Sequence, residues 1–275
     1  MDEETLSSIA NKSRNVVEWW ARTHSRVVPI KDNVVLARVL GGYLMYVDMV
    51  DKSLAPHLAG EGFWEMWITQ ALARYVRRGM RCIDVGANFG YYTMLLGDIV
   101  GSQGFVWAFE PNPYILPLLR ESVFVNGFGD RVCVVPRAAG NYAASDELFL
   151  PADGRWGSAS LYDLPMVTER IAIETQRLDA IPLENPIDFI KIDAEGMEPE
   201  VWEGMAGIIK CSPKLVVALE WSPRAYKDPA EFIRHIEADG FRIDKIDGDG
   251  QIVSVDKGKL VERNADWEML WISHV

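Results

Sequence analysis

Two acid-bearing stretches hold most of the side chains that could do chemistry. Residues 82–93 read CIDVGANFGYYT, an apolar run ending in Asp84, Gly86, Ala87, Asn88 and Gly90 before a helical pattern begins. Residues 191–200 read KIDAEGMEPE and supply Lys191, Asp193, Glu195, Glu198 and Glu200. Carboxylates at this density can hold a cation, position a polar ligand or take a proton from a hydroxyl. The glycines imply close approach to the backbone, and the expectation is that Gly86 and Gly90 clear Cβ atoms from a ligand's path. Their spacing is neither the G-x-G-x-x-G of a dinucleotide turn nor a P-loop with its Lys-Ser/Thr. Asp84 would disfavour a pyrophosphate there and favour a cationic ligand.

Glu110, in WAFEPNP, stands about 20 residues past the glycines, where an acid accepts both hydroxyls of a ribose. A helix-start acid favoured by the macrodipole is the structural alternative. Pro111 fixes the chain's exit from that run. In the second stretch, strand alternation puts Lys191 and Asp193 on one face, with Asp193 and Glu195 at the open end. Asp193 could act on a ligand or cap the following helix, with Glu195 in its first turn. Lys191 could be a general base, because burial lowers a lysine pKa, but an ion pair with an acid is the preferred reading. Glu220, in VVALEW, ends the next run beside the same site.

Elements that could position these groups follow from the apolar pattern. Residues 1–75 form an appendage: helical spacing through Ile9, Val16, Val17 and Trp20, then two apolar runs joined by Gly41-Gly42 as a hairpin. FWEMWITQALARYVRRG is helical up to Gly79. Residues 76–275 form the main domain, and from residue 80 strand-like runs alternate with helices: RCIDVGA, GFVWAFEP, RVCVVP, IDFIKIDAEG and KLVVALEW. Runs without polar interruption suit a parallel sheet covered on both faces. Pro117 counts against an undisturbed helix over PYILPLLRESVFVNGF. Asp228, Pro229, Glu231 and Gly240 bracket a capped helix. FRIDKID and WEMLWISHV enclose GDGQIVSVDKGK, which lacks a helical pattern, so the sheet should finish with antiparallel strands. Residues 137–187 show no strand–helix rhythm. In a doubly wound sheet the ligand belongs at the carboxyl ends of the strands, where both acid-bearing stretches lie.

IDVGANFGYYTMLLG, AFEPNP, VNGF, GSASL and IDFIKIDAEGMEPEVWEGM together resemble, in order, the FkbM family of S-adenosylmethionine-dependent methyltransferases. The resemblance covers roughly residues 60–240. It implies a class I methyltransferase fold: a Rossmann-like, doubly wound, mostly parallel seven-stranded sheet whose last strand is antiparallel. Carried over, Asp84, Gly86, Ala87, Asn88 and Gly90 would surround the methionine part and ribose of S-adenosylmethionine. Glu110 and Pro111 would form the ribose corner with Asn112. Ala138 and Ala139, in RAAGN, would border the adenine, and Glu65, in GFWEMW, would close over the cofactor. Asp193, Glu195 and Lys191 would be the catalytic set. Some other class I O-methyltransferases hold Mg²⁺ with carboxylates at the strand ends occupied here by Asp193 and Glu220. Glu-Trp replaces their paired Asp-Asp or Asp-Asn, so metal is the minority reading.

The implied activity is O-methylation of a small-molecule or sugar hydroxyl. A nucleic-acid methyltransferase is disfavoured by a net charge of −12 and the absence of a basic run. A non-catalytic cofactor-binding scaffold is the remaining alternative. Three cysteines without C-x-x-C spacing fit a reducing cytoplasm, and two of them, in apolar runs, read as buried. The acidic N-terminus does not read as a signal peptide, and no apolar stretch is long enough for a membrane span. Trp19, Trp20, Trp64 and Trp67 are expected to pack the appendage onto the core, where exposed Trp and Met over 43–67 would indicate a homodimer interface. Trp156, on a polar loop, is a candidate substrate lid or sugar platform. Neither His235 nor His57 carries a strong case as a base.

Overall fold

The structure, a computed structural model, describes residues 3–162, 167–182 and 186–275. Helices α1 (Glu3–Asn11) and α2 (Arg14–His24) precede an antiparallel sheet of β1 (Arg26–Lys31), β2 (Val34–Val39) and β3 (Tyr43–Asp48). The expected Gly41-Gly42 turn joins β2 to β3. Gly41 has φ +65°, and a Cβ there would fall 2.3 Å from the Trp20 ring. The extra strand β1 escapes the sequence reading because RVVPIK does not alternate and contains Pro29, a residue suited to an edge.

Next come α3 (Ala55–Gly60) and α4 (Met66–Tyr75). Helix α4 stops at Tyr75 instead of continuing to Gly79, because Val76 turns into extended backbone and buries its side chain. The alternating region supplies β4 (Arg81–Val85), α5 (Tyr91–Val100), β5 (Phe105–Phe109), α6 (Leu116–Val125) and β6 (Val132–Val135). Pro117 lies in the first turn of α6, where its missing N–H costs nothing.

Residues 138–177 depart from expectation by forming a second small sheet. Its strands are β7 (Ala138–Gly140), β8 (Ala144–Pro151) and β9 (Val167–Arg177), in the order β7-β9-β8. Its own apolar cluster is small, built on buried Ala138, Leu148, Leu150 and Ile173, which explains the faint sequence signal. The chain then gives β10 (Phe189–Ile192), α7 (Glu198–Gly204), α8 (Ala206–Cys211), β11 (Val216–Trp221) and α9 (Pro229–Ala238). Asp228 caps α9 by accepting from Glu231 N at 2.9 Å, as its spacing predicts. The ending comprises β12 (Phe241–Ile246), β13 (Ile252–Ser254), α10 (Lys257–Leu260) and β14 (Glu268–His274).

The main sheet runs β13-β12-β14-β11-β10-β4-β5-β6. Strands β4, β5, β6, β10 and β11 pair in parallel, and β14 inserts antiparallel between β11 and β12. These seven strands are the expected class I arrangement; β13 adds an eighth at the edge, within the segment expected to hold no helix, where the single turn of α10 departs from that expectation. Alternation divides each buried strand between two cores. Cys82, Val106, Ala108 and Phe189 face one; Ile83, Trp107, Phe109 and Ile190 face the other.

Ile9, Val17, Met45 and Leu58 belong to the first core, so residues 3–75 cover the sheet beside α5 and α6. The join is polar as well. Asn126, just past the end of α6, accepts from Leu44 N at 3.0 Å and donates to Leu44 O, and Ser122 Oγ of α6 accepts from Tyr46 N at 2.9 Å. These side chains thereby satisfy the edge of β3, which would otherwise invite another strand. Trp20, Trp64 and Trp67 pack against this core as expected, but Trp19 is 66% exposed. Cys82 is buried and Cys133 exposed, against the expectation for the latter. Of the methionines and tryptophans at 43–67, only Met49 is largely exposed, so the condition set for a dimer face is scarcely met. No helix among the described residues is long and apolar enough to cross a membrane.

Candidate active site

A cavity of about 830 Å³ opens at the carboxyl ends of β4, β5, β10 and β11. That volume suits a nucleoside-sized ligand with a second molecule. Of the residues singled out in the sequence, Glu65, Gly86, Ala87, Asn88, Glu110, Pro111, Ala138, Ala139, Lys191, Asp193, Glu195 and Glu220 all line it. Asp84, Gly90 and Asn112 do not; they stand behind the wall. His57 pairs instead with Glu61 and the Trp64 ring, and His235 lies near Asp239 on α9.

The glycines serve a different purpose from the one expected. Gly86 has φ +73°, and a Cβ on it would lie 1.9 Å from the backbone oxygen of Asp193. Gly90, at φ +94°, would drive a Cβ to 2.5 Å from Leu119 Cδ1. The missing side chains therefore admit the chain's own neighbours. Gly86 lets the end of β10 close against the β4 loop, which carries Asp193 to the cavity. Asn88 also has a left-handed φ of 52°, and its Oδ1 accepts from Phe89 N at 2.7 Å.

Glu110 is nearly buried at the far side. One carboxylate oxygen accepts from Asn88 N at 2.7 Å and the other from Asn112 N at 2.8 Å. Each oxygen keeps acceptor capacity toward the cavity. Burial pushes its pKa up to about 7, against the two backbone donors and with help from Asp84 and Asp193. Asn112 is itself buried; its Oδ1 accepts from Tyr114 N, while its Nδ2 has no partner among the described residues.

The β10 end holds the densest charge. Lys191 Nζ is buried, 2.9 Å from Asp193 Oδ2 and 4.8 Å from the Tyr92 ring centroid. Register places Asp84 beside Lys191 across the β4–β10 pair. Burial alone would lower the lysine's pKa, but Asp193 and Asp84 outweigh it and hold the ammonium above its ordinary value. The ion pair, not the general base, is what this geometry supports. Asp84 receives Thr93 Oγ1–H at 2.6 Å, and burial raises its pKa against the pull of Lys191.

Asp193 does not cap α7. Glu198 organises that turn instead, its carboxylate accepting from Ala194 N and Gly196 N. Glu195 sits at φ 51° beside it. One ligating oxygen each from Asp193, Glu195 and Glu220 lies within 4.8 Å of the others. Burial, then Asp193 and Glu198, push the Glu195 carboxyl well up; Asp193 and then burial do the same to Glu220. These three acids could share a hard cation, and Glu195 and Glu220 could hold a proton. Glu195 thus joins the Asp193–Glu220 pair read from the sequence.

Glu65 faces the same region. It heads α4 with φ 35°, accepts from Tyr92 Oη at 2.8 Å, and has its pKa pushed up to about 7 by burial and Asp193. Sequence reasoning missed Tyr92, Ser53 and Arg155, which also line the cavity. Tyr92 lies in plain view in GYYT, but helical periodicity alone assigns it to the core. Trp156 does line the cavity, stacked on Tyr114 with ring centroids 5.6 Å apart. Residues 163–166, farther along the stretch expected to lack a strand–helix rhythm, lie outside the described residues.

Solved structures of similar fold include a proposed rRNA-methylase from Clostridium thermocellum, at 10% identity and TM-score 0.47 over 75% of this chain and 93% of that one. The fibrillarin pre-rRNA processing protein of Methanococcus jannaschii matches at 14% identity and TM-score 0.43, over 91% and 97%. An O-methyltransferase from Bacillus cereus, solved with SAH, matches at 16% and 0.42, over 76% and 78%. At such identities the likeness is one of fold. No curated protein matches the chain. The model of the methyltransferase FkbM domain matches residues 84–243, from Asp84 on β4 to Ile243 on β12 and more than half of the sequence, and the chain belongs to the FkbM methyltransferase family.

Proposed function

We propose that the chain uses S-adenosylmethionine to methylate a hydroxyl of a small molecule or sugar. The observation that carries the cofactor assignment is Glu110: a buried carboxylate, each oxygen half-satisfied by a backbone N–H, facing the cavity across from the acids of β10. That pattern fits a ribose diol. The unpartnered Asn112 Nδ2 lies beside it, behind the wall. Ala138 and Ala139 offer a flat apolar border to the base, and Glu65 and Asp193 offer negative charge to the cationic methionine end. When bound, the cofactor supplies a sulfonium-activated methyl group.

The protein's part in such a displacement is alignment and proton removal. Asp193, fixed by Lys191, would orient the acceptor hydroxyl. A carboxylate oxygen of Glu195 or Glu220 would take its proton, because repulsion within the cluster makes each a stronger base than a solvated carboxylate. Lys191 stays charged and keeps the excess of acids compatible with folding. The net charge of −12 favours a small acceptor over a nucleic acid. A divalent ion on Asp193, Glu195 and Glu220 is the second reading, favoured by their spacing.

Calorimetric titration of S-adenosylmethionine into the protein, beside Glu110→Ala, tests the cofactor. Saturable binding weakened roughly tenfold or more by the substitution is expected, from loss of charged acceptors. Absence of binding to the intact protein would overturn the reading and leave a scaffold. Label transfer from the cofactor to a panel of hydroxylated small molecules and sugars, with RNA as the competing acceptor, tests the rest.

A further inference from the structure

Asp51 lies outside every chemical motif of the sequence, yet it is fully buried and accepts from five donors. Its Oδ1 takes Ser53 N, Ser53 Oγ and Trp156 N at 3.2, 2.6 and 2.9 Å, and its Oδ2 takes Leu54 N and Ala55 N, both at 2.8 Å. Four of these bonds are local. The fifth crosses to the loop between β8 and β9, and two more bonds run beside it: Lys52 N donates to Gly154 O at 2.9 Å, and Gly157 N donates to Ser53 Oγ at 3.0 Å. Residues 51–53 and 154–157 are thereby fastened together.

The other end of this strap is fixed as well. Ser160 Oγ donates to Glu195 O at 2.8 Å, and Ser160 exchanges backbone bonds with Phe149. Between the two fixings, Trp156 stacks on Tyr114 and Gly157 comes close to Asn88, where an added Cβ would lie 3.2 Å from Asn88 Nδ2. Trp156, Gly157 and Ser158 all line the cavity on the side of Asn88 and Glu110. The strap is therefore a wall of the compartment assigned above to the nucleoside.

We propose that Asp51 is a positioning residue that latches the 154–158 strap over the Asn88–Glu110 end of the cavity, and so sets how fast a ligand there can leave. This rests on the cofactor reading for the ligand's identity, but the latch is a property of the protein alone. Only a side chain with two acceptor oxygens at this position can satisfy both the local turn and the strap. Asparagine would turn one acceptor into a donor and face it with N–H groups. Ser53→Ala removes the Gly157 anchor and leaves the turn's carboxylate intact.

The test has two readouts on the full chain. The first is the dissociation rate of S-adenosylmethionine by stopped flow. The second is tryptic cleavage after Arg155, an exposed residue within the strap, followed by fragment mass. Asp51→Asn is expected to speed both by roughly tenfold, the worth of one hydrogen bond to a charged acceptor. Ser53→Ala is expected to speed both by a smaller factor and serves alone if Asp51→Asn does not fold. A merely structural Asp51 would lower the melting temperature without selectively raising cleavage at Arg155. Unchanged release and unchanged cleavage in the folded variants would overturn the latch. If the wild type does not bind the cofactor, the cofactor reading fails, and cleavage at Arg155 still decides whether Asp51 holds the strap.

Discussion

Glu110→Gln should free stability from part of its pH dependence while weakening cofactor binding at alkaline pH. An unfolded glutamate ionises near 4.5, whereas folded Glu110 holds its proton up to about 7. Between those values the folded state binds more protons, so the contribution of Glu110 to stability is fully present below about 4.5 and lost as pH rises through about 7. A gap of that size is worth about 3 kcal/mol once both states are ionised. Most of it, about 2.5 kcal/mol, is lost between pH 5 and pH 8. Glutamine cannot ionise, so this component vanishes. It also keeps a carbonyl for only one of the two N–H donors, a pH-independent cost of about 1–3 kcal/mol.

Glu65 and Glu198 also have pKa values pushed up to about 7, but both proteins retain them and their effect cancels in the difference. Thermal melts of ligand-free wild type and variant, from pH 5 to pH 8, are the assay. The melting temperature of the variant relative to wild type should climb by roughly 5 °C or more across that range. In calorimetry at pH 8 the same variant should bind S-adenosylmethionine at least roughly tenfold more weakly. Parallel melting curves would show that Glu110 ionises normally in the fold. An unchanged affinity would show that its carboxylate is not the ribose acceptor.

Gly86→Ala combines a left-handed φ with a Cβ 1.9 Å from Asp193 O, so denaturant unfolding should report a loss of about 3 kcal/mol or more. Methyl transfer should fall even in the folded fraction, because Asp193 is displaced. Asp193→Asn leaves Lys191 without its closest partner and should cut methyl transfer roughly a hundredfold or more, with cofactor affinity changed far less; a normal rate would remove Asp193 from the mechanism. Millimolar Mg²⁺ should raise the melting temperature of the wild type but not of Glu220→Gln, if the three carboxylates hold a cation. Equal response of the two proteins would assign those acids to the acceptor alone.

The parts of this molecule legible in its sequence are those where one short stretch carries the whole cause. Buried strands announced themselves because both faces of RCIDV and FIKI meet apolar cores, and α9 because Asp228, Pro229 and Glu231 form its cap alone. Lys191 and Asp193 could be set on one face by alternation, and their 2.9 Å contact follows directly from it. Other features depend on what a distant segment brings. The sequence marks Gly86 as a place with no room for a side chain, but only the β4–β10 register shows that the occupant is a backbone carbonyl of the same chain. Asp51 belongs to no motif of the sequence: four of its five donors are local, and the fifth comes from Trp156, across a loop whose signal is faint. Glu65 enters the sequence reading only through the family resemblance, as a residue closing over the cofactor; folding sets it beside Asp193, and that proximity, with burial, is what shifts its titration toward neutrality. Identity of a functional acid is thus readable where its partners are neighbours in sequence. Its strength as an acid is set by long-range contacts, and that is where the chemistry of this site is decided.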